Sequence, residues 1–135
     1  MLGTAKVITL EAAKKMVAAG EAEARKNGWN VAITVVDANG DLILFQKLDE
    51  TQPGSIKVSQ GKARTAALFK RPTKAMEEMI ASGKTAFLAI PEIVPIQGGV
   101  PVIVDAKVIG AVGVSGVMSA QDEQVAMAAL AGLNG

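Results

Sequence analysis

The 135-residue sequence contains no cysteine, no histidine and no tyrosine. Without cysteine the chain can form no disulfide, and without cysteine and histidine it cannot build a Cys/His zinc site. Catalytic pairs of the Ser-His and Cys-His kinds are excluded for the same reason. Any chemistry must therefore come from carboxylates, lysine, arginine, hydroxyls, thioethers or the backbone.

Aromatic residues make up only 3% of the chain, although half of its residues are hydrophobic. The core must therefore consist of small and aliphatic side chains, which requires closely packed elements. A net charge of +1 gives no support to a role on nucleic acid or at a membrane surface. No apolar run approaches the length of a membrane span, and residues 1–6 lack the pattern of a secretory signal. We therefore expect a cytoplasmic protein of one domain, residues 1–135.

A glycine-rich stretch, residues 95–116, is the most distinctive part of the sequence. It begins near Gly98-Gly99 and continues as two β-branched runs, residues 100–104 and 108–114, on either side of a short polar break. Such a pattern predicts an antiparallel hairpin. Glycine is unfavourable inside a strand unless another group packs closely, so we expect either a ligand or another backbone against this hairpin.

Hydrophobic periodicity, turn signals and capping patterns predict the other elements. In chain order these are a helix over 10–27, strands over 31–36 and 42–48 joined by an Asn-Gly turn, helices over 55–69 and from 73 to about 82, a short strand over 86–89, the hairpin, and a last helix from Ser119. Thr9, Thr73 and Ser119 are the predicted N-caps, because a hydroxyl accepts from a free amide of the first turn. The order of elements predicts an α+β fold with an antiparallel sheet.

Four segments together resemble the signature of the GlcG/HbpS haem-binding family, which is also similar to the C-terminal domain of PduO-type cobalamin adenosyltransferases. These segments are residues 97–101, 108–116, 35–42 and the helical stretch 62–66. The resemblance covers nearly the whole chain. It implies a profilin-like three-layer α/β/α sandwich with a five-stranded antiparallel sheet. It also implies a homo-oligomer, for which we expect an even number of subunits.

The resemblance implies an accessory protein that binds a tetrapyrrole, either haem or a corrinoid. The usual haem ligands His, Cys and Tyr are absent, so the ring would be held by apolar contacts, basic groups and glycine-lined space. The candidate ligand-binding residues are Lys62, Arg64, Gln97, Gly98, Gly99, Ser115, Gly116 and Met118. Met118 would offer a thioether to the metal. No catalytic residue and no separate metal site are assigned.

Each of these features also has a structural interpretation. The basic run that contains Lys62 and Arg64 is more typical of a solvated helix face, with partners among acidic residues elsewhere, than of an anion site. The glycines are equally typical of tight packing between a helix and the sheet or between subunits. Asp37 and Asp41 flank the Asn-Gly turn, where Asp stabilises the turn through the nearby backbone.

Two other functions therefore stay open. One is an assembly or chaperone-like module without a small-molecule ligand, which predicts no deep pocket lined by Arg64 and Gln97. The other is an enzyme that acts on a small oxyanion metabolite, with Lys62 or Asp37 as the acid-base group. The narrow catalytic repertoire of a chain without histidine and cysteine ranks the enzyme last.

Overall fold

The computed structural model describes residues 1–134 as four α-helices, four β-strands and two short 3-10 helices. The helices are α1 Leu10–Asn27, α2 Ser55–Phe69, α3 Thr73–Ala81 and α4 Ser119–Ala131, and the strands are β1 Ala32–Asp37, β2 Leu42–Lys47, β3 Gly99–Val104 and β4 Lys107–Ser115. The 3-10 helices are Thr85–Ala89 and Gly132–Asn134. Within residues 1–134, no helix combines the length and apolar character needed to cross a membrane. The predicted α+β class is confirmed.

The four strands form one antiparallel sheet in the order β2-β1-β4-β3. β1 and β4 are the central strands, and their register places Ile33 opposite Val114 and Val35 opposite Val112. The predicted hairpin is formed by β3 and β4, with Val100 opposite Val112. Pro101 lies in the edge strand β3, where its missing N–H costs no ladder bond if it faces outward.

Helices cover both faces of the sheet. On one face, α1 and α4 bury aliphatic side chains such as Met16 and Val125 against Ile33, Val35 and Val112. On the other face, α2 packs its alanines Ala63, Ala66 and Ala67 against Val36 and Ala111. The central strand β1 is buried on both faces, as its continuous apolar sequence predicts.

The two helices of the first layer come from opposite ends of the chain and lie in direct contact. A Cβ atom added at Gly20 of α1 would lie 3.4 Å from the Cβ of Ala129 in α4. A Cβ atom added at Gly132, just after α4, would lie 2.8 Å from the carbonyl oxygen of Lys15. Small residues therefore allow the two helices to approach closely.

The predicted ends of α1 are confirmed. The Thr9 hydroxyl accepts a hydrogen bond from the Ala12 amide at 3.1 Å, and Gly28 adopts the left-handed conformation with φ 72°. The predicted cap of α4 is wrong by one residue. Met118 occupies the N-cap position, and its amide donates to the Gln121 side chain at 3.2 Å. The Asp122 carboxylate, predicted to belong to the capping pattern, forms an ion pair with Lys62 instead.

Two further predictions are wrong. Residues 86–89 lie in a 3-10 helix, so the structure has four strands where five were predicted. This segment has no buried side chain, and local bonds such as Ile90 N–H to the Phe87 carbonyl at 3.1 Å satisfy its backbone. Thr73 does not cap α3, because its hydroxyl bonds the loop before β3 and Pro72 takes the cap position.

Candidate functional site

Lys62 lies on the buried face of α2 and forms an ion pair inside the protein. Its Nζ donates to Asp122 Oδ2 at 3.0 Å and to the carbonyl oxygen of Val114 at 3.0 Å. The two charged side chains are only 2% and 3% exposed. A buried charge is tolerated when it is paired and hydrogen-bonded, and both conditions hold here. The ammonium group thus links α2 to the end of β4 and to the first turn of α4.

The glycine pair at the start of β3, Gly98-Gly99, provides the space for this lysine. A Cβ atom at Gly98 would lie 2.7 Å from Lys62 Nζ and 2.8 Å from the Val114 carbonyl oxygen. A Cβ atom at Gly99 would collide with the backbone carbonyl of Lys62. The closest group to both glycines is therefore the protein's own helix. Of the two explanations for these glycines, helix-to-sheet packing is the one that the geometry supports.

The same close approach continues along β4. A Cβ atom at Gly113 would collide with the Ser59 carbonyl oxygen and the Ala63 amide nitrogen, both in α2. Gly116 is equally confined, because a Cβ atom there would collide with the Asn30 carbonyl oxygen. Because Gly113 and Gly116 have no side chain, the backbone of β4 and of the residue after it can lie directly against the backbone of α2 and of Asn30.

Hydroxyl groups complete the polar contacts between α2 and the sheet. Ser115 Oγ lies 3.1 Å from Ser55 Oγ, and Thr34 Oγ1 lies 3.0 Å from Ser59 Oγ. On the other side of the glycine pair, the Thr73 hydroxyl accepts from the Gly99 amide at 2.9 Å. Each of these buried hydroxyl groups thus has a hydrogen-bond partner within the protein.

Asp122 is part of this buried site, although it was not among the residues predicted from the sequence. Burial raises the pKa of the Asp122 carboxyl above its ordinary value, and the nearby Lys62 ammonium opposes this rise. The second oxygen, Oδ1, accepts from the Val117 amide at 3.1 Å. In the sequence Asp122 appears only as the acid of a capping pattern, and no local signal connects it with a lysine 60 residues earlier.

Arg64 lies elsewhere, beside the turn between β1 and β2. It lines an open pocket of about 230 Å³ whose other lining residues are Thr34, Val36, Gly40, Leu42, Gln60 and Gly61. The guanidinium group is partly exposed and lies 3.6 Å from the exposed carboxylate of Glu92. A weak ion pair of this kind leaves the guanidinium available to another anion.

Gln97 and Met118 do not lie in the Arg64 pocket. The backbone N–H of Gln97 donates to the Glu77 carboxylate at 3.1 Å. Met118 is exposed and lies just beyond the end of β4, where Ser115 is paired with Ala32 at the start of β1. Arg64 lies beside Gly40, beyond the other end of β1. The two sites are thus separated by the length of β1, about 16 Å at the usual rise per residue.

The structure therefore divides the eight candidate residues. Four of them lie together, buried, where α2 meets the start of β3 and the end of β4: Lys62, Gly98, Gly99 and Ser115. Gly116 follows β4, is half-buried and lies against Asn30. Arg64 lies apart from them in its own pocket, which neither Gln97 nor Met118 lines. The assignment of a ligand to any of them stays a prediction.

Comparison with known proteins places this chain in a family. The family described as "Haem degrading protein HbpS-like" matches residues 8–131. Protein GlcG of Escherichia coli (strain K12) is 48% identical over 109 residues, which are 81% of either chain. The chain belongs to the HbpS-like family, and the predicted resemblance is confirmed.

Solved structures agree with this assignment. Protein ORFY of Klebsiella pneumoniae superposes with a TM-score of 0.90 at 36% sequence identity, over 99% of this chain and 97% of that one. A double mutant of Streptomyces reticuli HbpS superposes with a TM-score of 0.89 at 32% identity, over 96% of this chain and 89% of that one. The similarity thus extends over the whole fold.

Proposed function

We propose that this chain is a cytoplasmic, single-domain, profilin-like accessory protein that binds a tetrapyrrole, with haem as the first ligand to test and a corrinoid as the second. We further propose that it acts as an even-numbered homo-oligomer. Membership in a family described by haem degradation supports the choice of ligand class. The open pocket beside Arg64 is the observation that carries the proposal.

The chemistry of this pocket suits an apolar ring with carboxylate substituents. Val36 and Leu42 supply apolar walls, and Leu42 is more than half exposed. A guanidinium presents a planar fork of N–H donors that matches a carboxylate, so Arg64 can hold a propionate. Displacing the exposed Glu92 from Arg64 costs little, because a surface ion pair contributes at most about 1 kcal/mol.

The size of the pocket supports an oligomer. Its volume of about 230 Å³ lies below the roughly 300 to 1,000 Å³ that sites enclosing a small molecule usually have. A tetrapyrrole would therefore extend out of the pocket, and a neighbouring subunit would cover its outer face. Met118 and Arg64 of one chain are about one strand length apart, so we assign any thioether contact with the same ring to a second subunit.

In this proposal the buried residues shape the protein instead of contacting the ligand. Five of the candidate residues contact other groups of the protein itself: Lys62, Gly98, Gly99, Ser115 and Gly116. Their substitution would weaken ligand binding only through the fold. This separates them experimentally from Arg64, whose substitution leaves the core intact.

A titration with haem followed by absorbance tests the proposal. Wild type should give a saturable spectral shift, and Arg64→Ala should bind about tenfold more weakly, equivalent to roughly 1.4 kcal/mol for one charge-assisted bond. Lys57→Ala is the matched control, because Lys57 is an exposed cation on the same helix that does not line the pocket. Equal affinities of Arg64→Ala and wild type would overturn the site.

The metal contact is tested separately with methionine variants. Met118→Ala should change the wavelength of the haem absorbance band if its thioether binds the metal, whereas Met127→Ala should not. Both side chains are exposed on or beside α4, so the pair differs mainly in position. Competition by cobalamin would show whether the site accepts a corrinoid.

An assembly module without a small-molecule ligand is the second candidate. It is favoured by the exposed apolar side chains Leu42, Leu88, Ile103, Met118 and Met127, which a subunit interface would bury. A stable oligomer in light scattering, together with no spectral shift from haem or cobalamin, would support this function over the first.

A further inference from the structure

The segment before α1, residues 1–9, forms an extended arm that side chains hold in place. Within residues 1–134, no backbone-to-backbone hydrogen bond joins residues 1–8 to the remainder of the protein. Lys6 pairs with Asp105 at 3.3 Å on the surface, and Lys107 Nζ donates to the Thr4 carbonyl oxygen at 3.4 Å. Both contacts are exposed to solvent, so the outer part of the arm is weakly attached.

Ile8 is the anchor at the base of this arm. Its side chain is buried in the main core. A Cβ atom at Gly110 of β4 would lie 2.5 Å from Ile8 Cδ1. The isoleucine side chain therefore occupies space that is available only because residue 110 is a glycine. The arm is therefore fixed at Ile8 and becomes freer toward residue 1.

An apolar trough runs beside the arm. Its volume is about 390 Å³, and its walls include Val102, Ile103, Val104, Ile109, Leu130 and Leu133. Lys6, Val7 and Ile8 of the arm line it as well. Most of the residues that line the trough are apolar, and its volume is within the size range of sites that bind a small ligand.

The tip of the arm carries apolar side chains that contact nothing in their own chain. Leu2 is 101% exposed, and Met1 is fully exposed too. At Gly3, an added Cβ atom would have no neighbour within 4 Å. Burying one such side chain is favourable by roughly 1.5 to 3 kcal/mol, so the tip gains from any apolar seat that it can reach.

We propose that the arms of two copies of this chain exchange tips, with Leu2 of each copy packed in the trough of the other. The arm itself forms part of the trough, so a two-fold axis between two arms places them side by side in opposite directions. Each tip then lies against the base of the other arm. Such an isologous contact fills both troughs with one set of residues. This inference rests on the proposed homo-oligomer.

Cysteine cross-linking tests the exchange directly, because the chain has no cysteine of its own. Leu2→Cys is introduced in one chain and Ile103→Cys in a second, differently tagged chain, and the two are co-expressed and oxidised. A held contact raises the local thiol concentration to the millimolar range, so the mixed covalent dimer should form at least about tenfold more than in a control pair. The control pair is Leu2→Cys with Leu88→Cys, since Leu88 and Ile103 are both 60% exposed.

The oligomeric state of the same samples, measured by light scattering, separates this inference from the proposed function. Preferential linking to position 103 in an oligomer supports the exchange. Equal linking to positions 103 and 88, or no linking, in a stable oligomer overturns the exchange and leaves the proposed oligomer standing. A monomer at the working concentration overturns both the exchange and the homo-oligomer.

Discussion

Replacement of Lys62 by methionine should destabilise the protein strongly. Methionine keeps an unbranched apolar chain in the same space but removes the ammonium group. The Asp122 carboxylate would then remain buried with the Val117 amide as its remaining donor, and the Val114 carbonyl oxygen would lose its lysine donor. Breaking a buried ion pair by removing one partner costs about 3 to 5 kcal/mol. That is a large share of the roughly 5 to 15 kcal/mol available to a domain.

Urea denaturation provides the measurement. Trp29 is the only tryptophan, and it packs partly buried against the main core, so its fluorescence reports unfolding. The free energy of unfolding should fall by about 3 to 5 kcal/mol. At about 3 to 5 °C per kcal/mol for a chain of this size, the melting temperature should fall by about 10 to 20 °C.

A double variant separates the unpaired charge from other effects of the substitution. Lys62→Met with Asp122→Asn keeps a side-chain oxygen for the Val117 amide and removes the buried charge. The remaining cost should be about 1 to 3 kcal/mol for imperfectly satisfied neutral groups. The reasoning is refuted if the double variant is as unstable as Lys62→Met, or if Lys62→Met loses less than about 1 kcal/mol.

The pH dependence of the same variants gives an independent check. Because the folded pKa of Asp122 is raised, the folded state binds this proton more tightly than the unfolded state, and its contribution to stability falls as pH rises through the folded pKa. Removing the Lys62 ammonium removes an interaction that lowers this pKa, so the loss extends to higher pH. The difference between wild type and Lys62→Met should therefore be larger at pH 8 than at pH 5. The Asp122→Asn double variant should not show this trend.

Other predictions concern the packing of the sheet. Gly113→Ala should cost at least about 1 to 3 kcal/mol in urea denaturation, because its Cβ would meet the backbone of α2; Gly54→Ala, in open space with φ −59°, should change stability by less than about 1 kcal/mol. Equal effects of the two would contradict the packing role. Thr73→Val should cost about 1 to 3 kcal/mol, because the Gly99 amide loses its acceptor. Thr85→Val, at an exposed position, is the control and should be nearly neutral.

The helices and hairpins could be predicted because their signals are local. The predicted bounds of α1 and α2 agree with the structure. For α1 the reason is local, since its apolar periodicity lies between a hydroxyl cap at Thr9 and a glycine end at Gly28. The alternation of β-branched runs and turns was sufficient to find all four strands. Thr73 shows the limit of such signals, since its hydroxyl bonds a loop more than 20 residues away instead of its own helix.

The buried site could not be predicted for the same physical reason. Lys62 lies in a basic run, which is typical of an exposed helix face. In the structure it is buried, because its charge is paired with a carboxylate 60 residues away. One weak signal was present. Ser55, Ser59 and Lys62 recur at spacings of four and three, which places small polar residues and the lysine on one helix face. Whether that face contacts water or a sheet depends on glycines far along the chain.

The contact between α1 and α4 has a consequence for the order of folding. The apolar face of α1 is made first during synthesis, but its partner α4 is made last, more than 100 residues later. At about 5 to 20 residues per second, the ribosome leaves that face without its final cover for several seconds. Chains that stop before residue 119 would keep it uncovered, so they should be substrates for chaperones and proteases instead of shorter working versions of the protein.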